Sequence, residues 1–185
     1  PPPRLALAGF DRRFRLFLLA VVLFTLGNSA DAFLILRANN LGLSVAGVRG
    51  MLITFNIVCA LVSGPAGALS DRVGRRRLIV GGWVIYGLIY LGFAAATAAW
   101  QVWALYAAYG VYYGAAEGAA RALVADLVSE ERRGSAYGVY HAAVGVMALP
   151  ASLIAGVLWQ GAAGWQGWGP SAPFLFGALS LSRAS

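Results

Sequence analysis

The chain has 185 residues, of which 60% are hydrophobic and 11% charged, against roughly 25% charged in an ordinary soluble domain. A soluble fold of this size has too little interior to hide so much apolar surface, so lipid must be the solvent for most of these side chains. The formal charge is +7 and every basic residue is arginine. These arginines fall between long apolar runs, which argues against nucleic acid and fits juxtamembrane charges beside an anionic cytoplasmic leaflet.

Residues 1–15 open on Pro1-Pro2-Pro3 and read as the end of a cytoplasmic linker; residues 16–185 read as a bundle of transmembrane helices. About 20 apolar residues, rising 1.5 Å each, cross a hydrocarbon core of about 30 Å. That length predicts spans over Leu16–Leu36, Val48–Leu69, Leu78–Ala99, Trp103–Val124 and Ala136–Trp159. A sixth begins at Ala172 and reaches Ser185 too soon to cross, its last residues being polar. The expected fold class is therefore all-α: a polytopic bundle of five full spans and an incomplete sixth.

Orientation follows from the arginines. They crowd before the first span (Arg4, Arg12, Arg13, Arg15), between the second and third (Arg72, Arg75, Arg76, Arg77), and between the fourth and fifth (Arg132, Arg133). The opposite loops carry only Arg37, expected to snorkel to the interface, and Arg49. The positive-inside rule puts the arginine-rich side, and the N-terminus, in the cytoplasm. Trp100, Trp103, Trp159, Trp165 and Trp168 gather on the other side, as an aromatic belt would. Gly110, Gly114, Gly118 and Ala122 on the fourth span, and Gly134, Gly138 and Ala142 on the fifth, form small-residue stripes suited to close helix approach. Pro65 and Pro150 are candidate kinks in the second and fifth spans.

The most specific stretch is Gly67-Ala68-Leu69-Ser70-Asp71-Arg72-Val73-Gly74-Arg75-Arg76-Arg77. A plain positive-inside loop needs neither the aspartate before the first arginine nor the flanking glycines. Gly67 would allow close helix contact, Gly74 a tight turn at positive φ, and Asp71 can accept from an arginine or a helix N-terminus. A charged latch fits these residues better than a bare loop.

The stretch resembles the G-x-L-x-D-R-x-G-R-R signature of the major facilitator superfamily, with Gly67, Leu69, Asp71, Arg72, Gly74, Arg75 and Arg76 in place. Phe24 to Phe33 is similar to the first helix of that family's C-terminal half. Glu117 to Asp126, with Arg133-Gly134, resembles its fourth helix and following loop. The resemblance implies the C-terminal six-helix half of a transporter, with Gly67, Asp71, Arg72, Gly74, Arg75 and Arg76 as a cytoplasmic gating loop. Asp126, Arg133 and Gly134 would support it. Twelve helices are usual in that family, so a partner for Asp71 is expected in an N-terminal half or a second chain.

Ionisable and amide groups within the spans are costly in lipid and become candidates for a substrate or proton path. Asp31 lies in the outer half of the first span, with Asn28 one turn earlier on the same predicted face; Asp31 reads either as a cap or as part of that path. Glu117 and Arg121 share a helix face at i, i+4, as a static ion pair or as a relay. His141 is either a packed hydrogen-bonding residue or a proton carrier. Asn56 and the tyrosines Tyr109, Tyr112 and Tyr113 are further cavity-lining candidates.

Without lysine there is no G-x-x-x-x-G-K loop to hold a nucleotide. One cysteine and one histidine provide neither a disulfide, a metal framework, nor a catalytic cluster. No enzyme activity, metal or cofactor is expected. The expected function is secondary active transport of a small solute across the inner membrane by alternating access, driven by protons or another gradient. The alternative is a non-transporting membrane scaffold or a truncated relic of a transporter.

Overall fold

A computed structural model of the chain describes residues 9–28, 31–162 and 164–180. Helix α1, Arg12–Gly27, starts where the Asp11 carboxylate accepts the N–H of Arg12. It stops at Asn28, whose backbone (φ −86°, ψ 94°) leaves the helix while its N–H still reaches the carbonyls of Phe24 and Thr25. Helix α2, Asp31–Asn40, then resumes. The continuous first span expected over Leu16–Leu36 is thus two helices, and Asn28 and Asp31 do not share a helical face. The polar stretch from Asn28 to Asp31 interrupts the apolar pattern at this point.

Helix α3, Val45–Val73, is capped by the Ser44 hydroxyl on the Gly47 N–H and runs through Pro65 without ending. Gly74, at φ 95°, turns it directly into α4, Arg75–Ala95. A side chain is strained at that φ, which is why glycine stands there. Helix α4 stops short of the expected Ala99. The Arg37 guanidinium donates to Phe93 O (3.3 Å) and Ala96 O (2.7 Å), and Ser171 donates to Ala94 O (2.7 Å). Gln101 Oε1 meanwhile accepts from Thr97 N and Ala98 N at the start of the next helix. Arg37 is therefore buried and covers the carbonyl end of α4; it does not snorkel. Helix α5 spans Ala99–Asp126, α6 Arg133–Gln160 through Pro150, and α7 Ala172–Ser180. Residues beyond Ser180, including the polar ending noted above, lie outside the described residues.

Helix α5 lies between α3 and α4 and packs along both; α4 also packs on α7, and α1 on α6 and α7. One core is aromatic, with Phe24, Tyr86, Tyr90, Phe93, Tyr106, Tyr109 and Phe174 buried between α1, α4, α5 and α7. A second joins Phe14, Leu18 and Val21 of α1 to Val139 and Tyr140 of α6. The small-residue stripe of α5 acts over part of its length. A Cβ on Gly110 would stand 2.9 Å from Phe55 O, and one on Gly114 2.8 Å from Cys59 O. At Gly118, Gly134 and Gly67 nothing lies within 4 Å among the described residues, so the close contacts expected there are not made among them.

Among the described residues four helical stretches are long and apolar enough to cross a membrane: Arg12–Asn40 taken together, Val45–Val73, Arg75–Ala95 and Glu130–Gln160. Helix α5 is as long as several of these, but it carries Glu117, Arg121 and Asp126 and many tyrosines.

Candidate functional site

Two places gather the polar groups of this apolar bundle. The first is the turn at Gly74. Arg75, the first residue of α4, stands where the ends of α3 and α5 meet. Its Nη1 lies 2.7 Å from Asp126 Oδ2 and donates to Ala122 O at 2.6 Å, while Nη2 lies 3.6 Å from Asp71 Oδ1. One guanidinium thus ties the last turn of α3 and the last turn of α5 to the first turn of α4. Its planar fork can serve two carboxylates and a carbonyl at once, which an ammonium on a lysine stem does less well. Asp71 therefore has a partner within the chain, contrary to the expectation of one only in another half. Arg72 and Arg76 are exposed, and Ser70 is buried with no hydrogen-bond partner for its hydroxyl among the described residues.

Arg132 and Arg133 do not join this cluster. Arg133 pairs with Glu130 at 3.1 Å, and Arg132 donates to the carbonyl of Gly9 beside the Phe10 ring. These contacts fasten the beginning of α6 to the segment before α1. Of the three residues expected to support the turn, Asp126 touches it, while Arg133 and Gly134 do not.

The second place is the bundle interior beside the break between α1 and α2. Asn28 Oδ1 accepts from the hydroxyls of Tyr86 (3.2 Å) and Tyr90 (3.0 Å), the former also near Gly27 O. The end of α1 is thereby tied to α4 through the Asn28 side chain, with the Tyr86 hydroxyl 3.4 Å from Gly27 O. With its oxygen engaged twice, the Asn28 amide keeps its NH2 for other partners. Next to it opens a cleft of about 100 Å³ between α1, α4, α5 and α6, bordered by Asn28, Thr25, Trp83, Tyr112, Glu117 and Tyr140.

Glu117 stands between this cleft and another of about 210 Å³ against α3, bordered by Cys59, Ser63, Tyr113 and Arg121. Arg121 holds Glu117 Oε1 with both Nε (3.2 Å) and Nη2 (3.1 Å). The carbonyl of Arg121 accepts from Tyr137, so α6 is fixed to the same turn of α5. Among the candidates, the fold brings Asn28 and Glu117 to one cleft and sets Arg121 directly behind. Asn56 is exposed and donates to Leu52 O, away from both clefts. His141 is exposed on α6, its ring edge-on to Tyr140 at 5.1 Å. The side chain of Asp31 lies outside the described residues. Among the described residues no three His, Cys, Asp or Glu side chains gather as a metal site would require.

Sequence reasoning missed Tyr86, Tyr90, Tyr140 and Thr25 as part of this region, and Arg37 as the group that closes α4. The signal for the tyrosines was present: a hydroxyl in an apolar helix needs a partner, and Tyr86 and Tyr90 stand one turn apart on α4.

An all-α bundle of apolar helices, with an arginine-rich turn and a charged pair beside its interior clefts, defines a multi-pass membrane protein. The model of the Major Facilitator Superfamily matches residues 16–182, and the chain belongs to that family. It is 35% identical over 182 residues to an uncharacterized MFS-type transporter of Methanocaldococcus jannaschii, a match covering 95% of this chain. The chain spans 44% of that relative's length.

Proposed function

We propose that the chain forms the C-terminal half of a secondary active transporter that moves a small solute across the inner membrane by alternating access. In this reading the Gly74 turn and the chain's N-terminus face the cytoplasm. Helix α5 is a further span, and a second half, in the same protein or another chain, completes the pathway. A proton gradient, or the gradient of another solute, drives the cycle.

The observation that carries the reading is the Arg75 junction. Two carboxylates and a carbonyl from α3 and α5 converge on one arginine at a turn with almost no slack, because Gly74 joins two long helices directly. The pairs are partly exposed, Asp71 at 71% and Asp126 at 53%, so each contributes on the order of 0–1 kcal/mol to stability. Contacts so weak suit a junction that forms in one state and opens in another, and they suit a static clamp poorly. Family membership supports the same reading, as does the relative described as an MFS-type transporter.

The test is solute uptake and counterflow in proteoliposomes holding the full-length protein, screened over a panel of labelled solutes. Asp71→Asn and Asp126→Asn should slow turnover severalfold while leaving the melting temperature nearly unchanged. Rates equal to those of the unaltered protein in both variants would refute the gating role. Failure of the unaltered protein to move any solute of the panel would count against transport itself.

A further inference from the structure

We infer that the cleft beside Asn28 receives a compact organic cation, the head of a quaternary or tertiary alkylammonium compound. This deepens the transport reading by naming a substrate class, and it rests on that reading only for the claim that the ligand is moved.

Among the described residues Glu117 is the only charged one bordering the cleft; Arg121 borders the other cleft, behind the same carboxylate. An anion placed there would meet the Glu117 carboxylate first, with the paired Arg121 guanidinium on its far side. Much of the wall is made of aromatic rings. Phe24 comes from α1, Trp83 from α4, Tyr109, Tyr112 and Tyr113 from α5, and Tyr140 from α6. Five of them are held as one packed set: Phe24 stacks on Trp83 at 5.0 Å and lies 6.5 Å from Tyr112, which stacks on Tyr109 at 5.6 Å, with Tyr113 6.2 Å from Tyr109; Tyr140 packs instead beside Phe17 and His141. Aromatic faces are negative and attract a cation within about 6 Å, most strongly where water is excluded, and ringed cages of this kind hold quaternary ammonium groups.

Size agrees with this. About 100 Å³ accommodates a small methylated ammonium head, while a larger solute would have to leave its remainder outside. Asn28, on the border of the cleft, supplies what such a remainder would meet. With Oδ1 taken by Tyr86 and Tyr90, the amide presents a donor, suited to a hydroxyl or carbonyl oxygen on the tail of the ligand.

Arg121 gives the proposal a distinctive signature. Both of its donors sit on the single oxygen Oε1 of Glu117. The guanidinium thus competes with the ligand for the carboxylate, and removing it should strengthen cation binding. A site built for anions would lose binding with the same change.

The experiment is equilibrium binding of radiolabelled choline to the full-length protein in lipid nanodiscs, with 3,3-dimethylbutan-1-ol, its uncharged isostere, as competitor. Choline is expected to bind and the isostere to compete only weakly. Glu117→Gln should weaken binding about tenfold or more and Tyr140→Leu severalfold, because a charged partner and a ring face are lost. Tyr140→Phe keeps the ring and should bind nearly as the unaltered protein does, while Arg121→Gln should bind more tightly. Each variant is checked for an intact melting transition, and Tyr140→Phe and Glu117→Gln nearly preserve side-chain volume. The proposal is overturned if folded, unaltered protein fails to bind choline at millimolar concentration. Equal competition by the isostere, Glu117→Gln binding unchanged, or Arg121→Gln losing affinity would each overturn it as well. Choline binding without movement of any solute in the proteoliposome screen would instead overturn transport and leave the cation site standing. Movement of a neutral or anionic solute without choline binding would do the reverse.

Discussion

Gly114→Ala is the substitution whose cost can be worked most directly from the geometry. A Cβ added there would stand 2.8 Å from Cys59 O and 3.3 Å from Cys59 Cα, both backbone atoms of α3. Carbon-to-carbonyl contacts settle at about 3.3–3.6 Å, so the methyl group arrives about 0.5 Å too close. The obstacle cannot rotate away, because Cys59 O belongs to a helix carbonyl and already accepts from Ser63 (2.7 Å). Helix α3 as a whole must retreat, and it packs along α5 over much of its length. Overpacking of this kind costs about 1–3 kcal/mol. The usual gain of about 0.5–1 kcal/mol for alanine over glycine in a helix shrinks here, because a membrane helix that has come away from its neighbours stays helical with its backbone bonds intact.

A net loss of about 1–2 kcal/mol is expected from Gly114→Ala, which lowers the melting temperature by about 2–8 °C for a chain of this size. Cys59, the only cysteine of the chain and one that stands at this contact, provides the readout. A thiol-reactive fluorescent dye should label it at a lower temperature in Gly114→Ala than in the unaltered protein. Gly118→Ala, one turn further along the same stripe with nothing within 4 Å, should melt within about 0.5 kcal/mol of the unaltered protein, as open surface positions do. If Gly114→Ala melts with the unaltered protein, or Gly118→Ala falls as far, the assignment of the α3–α5 contact to Gly114 is wrong.

Two further substitutions probe the groups that close helix ends. Arg37→Leu removes the donors to Phe93 O and Ala96 O in a buried place, and each carbonyl left without a partner costs about 1–3 kcal/mol; a melting curve should show a loss larger than that of Gly114→Ala, and Arg37→Lys should recover only part of it. Asn28→Leu strips the shared acceptor from Tyr86 and Tyr90 and should destabilise by about 1–3 kcal/mol, while Asn28→Asp, which keeps an acceptor, should lose less in the same melting experiment.

The helices were legible because a bilayer imposes one strong rule, an apolar run of fixed length, and Val45–Val73 and Arg133–Gln160 obey it without ambiguity. The interruption after Gly27 was harder, because the polar stretch Asn28-Ser29-Ala30-Asp31 is short and apolar runs flank it on both sides, so a reading by span length passes over it. The Arg75 junction was half legible: the loop residues stand out by type and spacing, but the approach of Asp126 depends on how the end of α5 meets the turn. The same holds for Arg37, which reads as an interfacial arginine until α4 is seen to end against it. Long-range acceptors that are plain carbonyls leave no mark on side-chain sequence. The aromatic cleft was illegible for a related reason, since its walls come from four helices and no one helix shows more than a few tyrosines in an apolar run.

What surrounds the bundle can be argued from what it leaves uncovered. Helix α3 exposes Ile53, Ile57 and Leu61 at one-turn intervals, and α6 exposes Val146, Leu149 and Leu153; either stripe is at home against lipid. The Glu117 and Arg121 side chains, at 31% and 54% exposure, are not, because a charged pair facing hydrocarbon bears the full cost of lost hydration. The same holds more weakly for Asn56 and His141, both exposed. The side of α5 that carries this pair must therefore lie against water or other protein. The solute path proposed above, shared with a second half, would supply both, one in each half of the cycle. If a lipid-soluble quencher confined to the bilayer core reached a label at position 121 as readily as one at position 61, this placement would fail. With it would go the claim that the clefts on either side of Glu117 open onto a path.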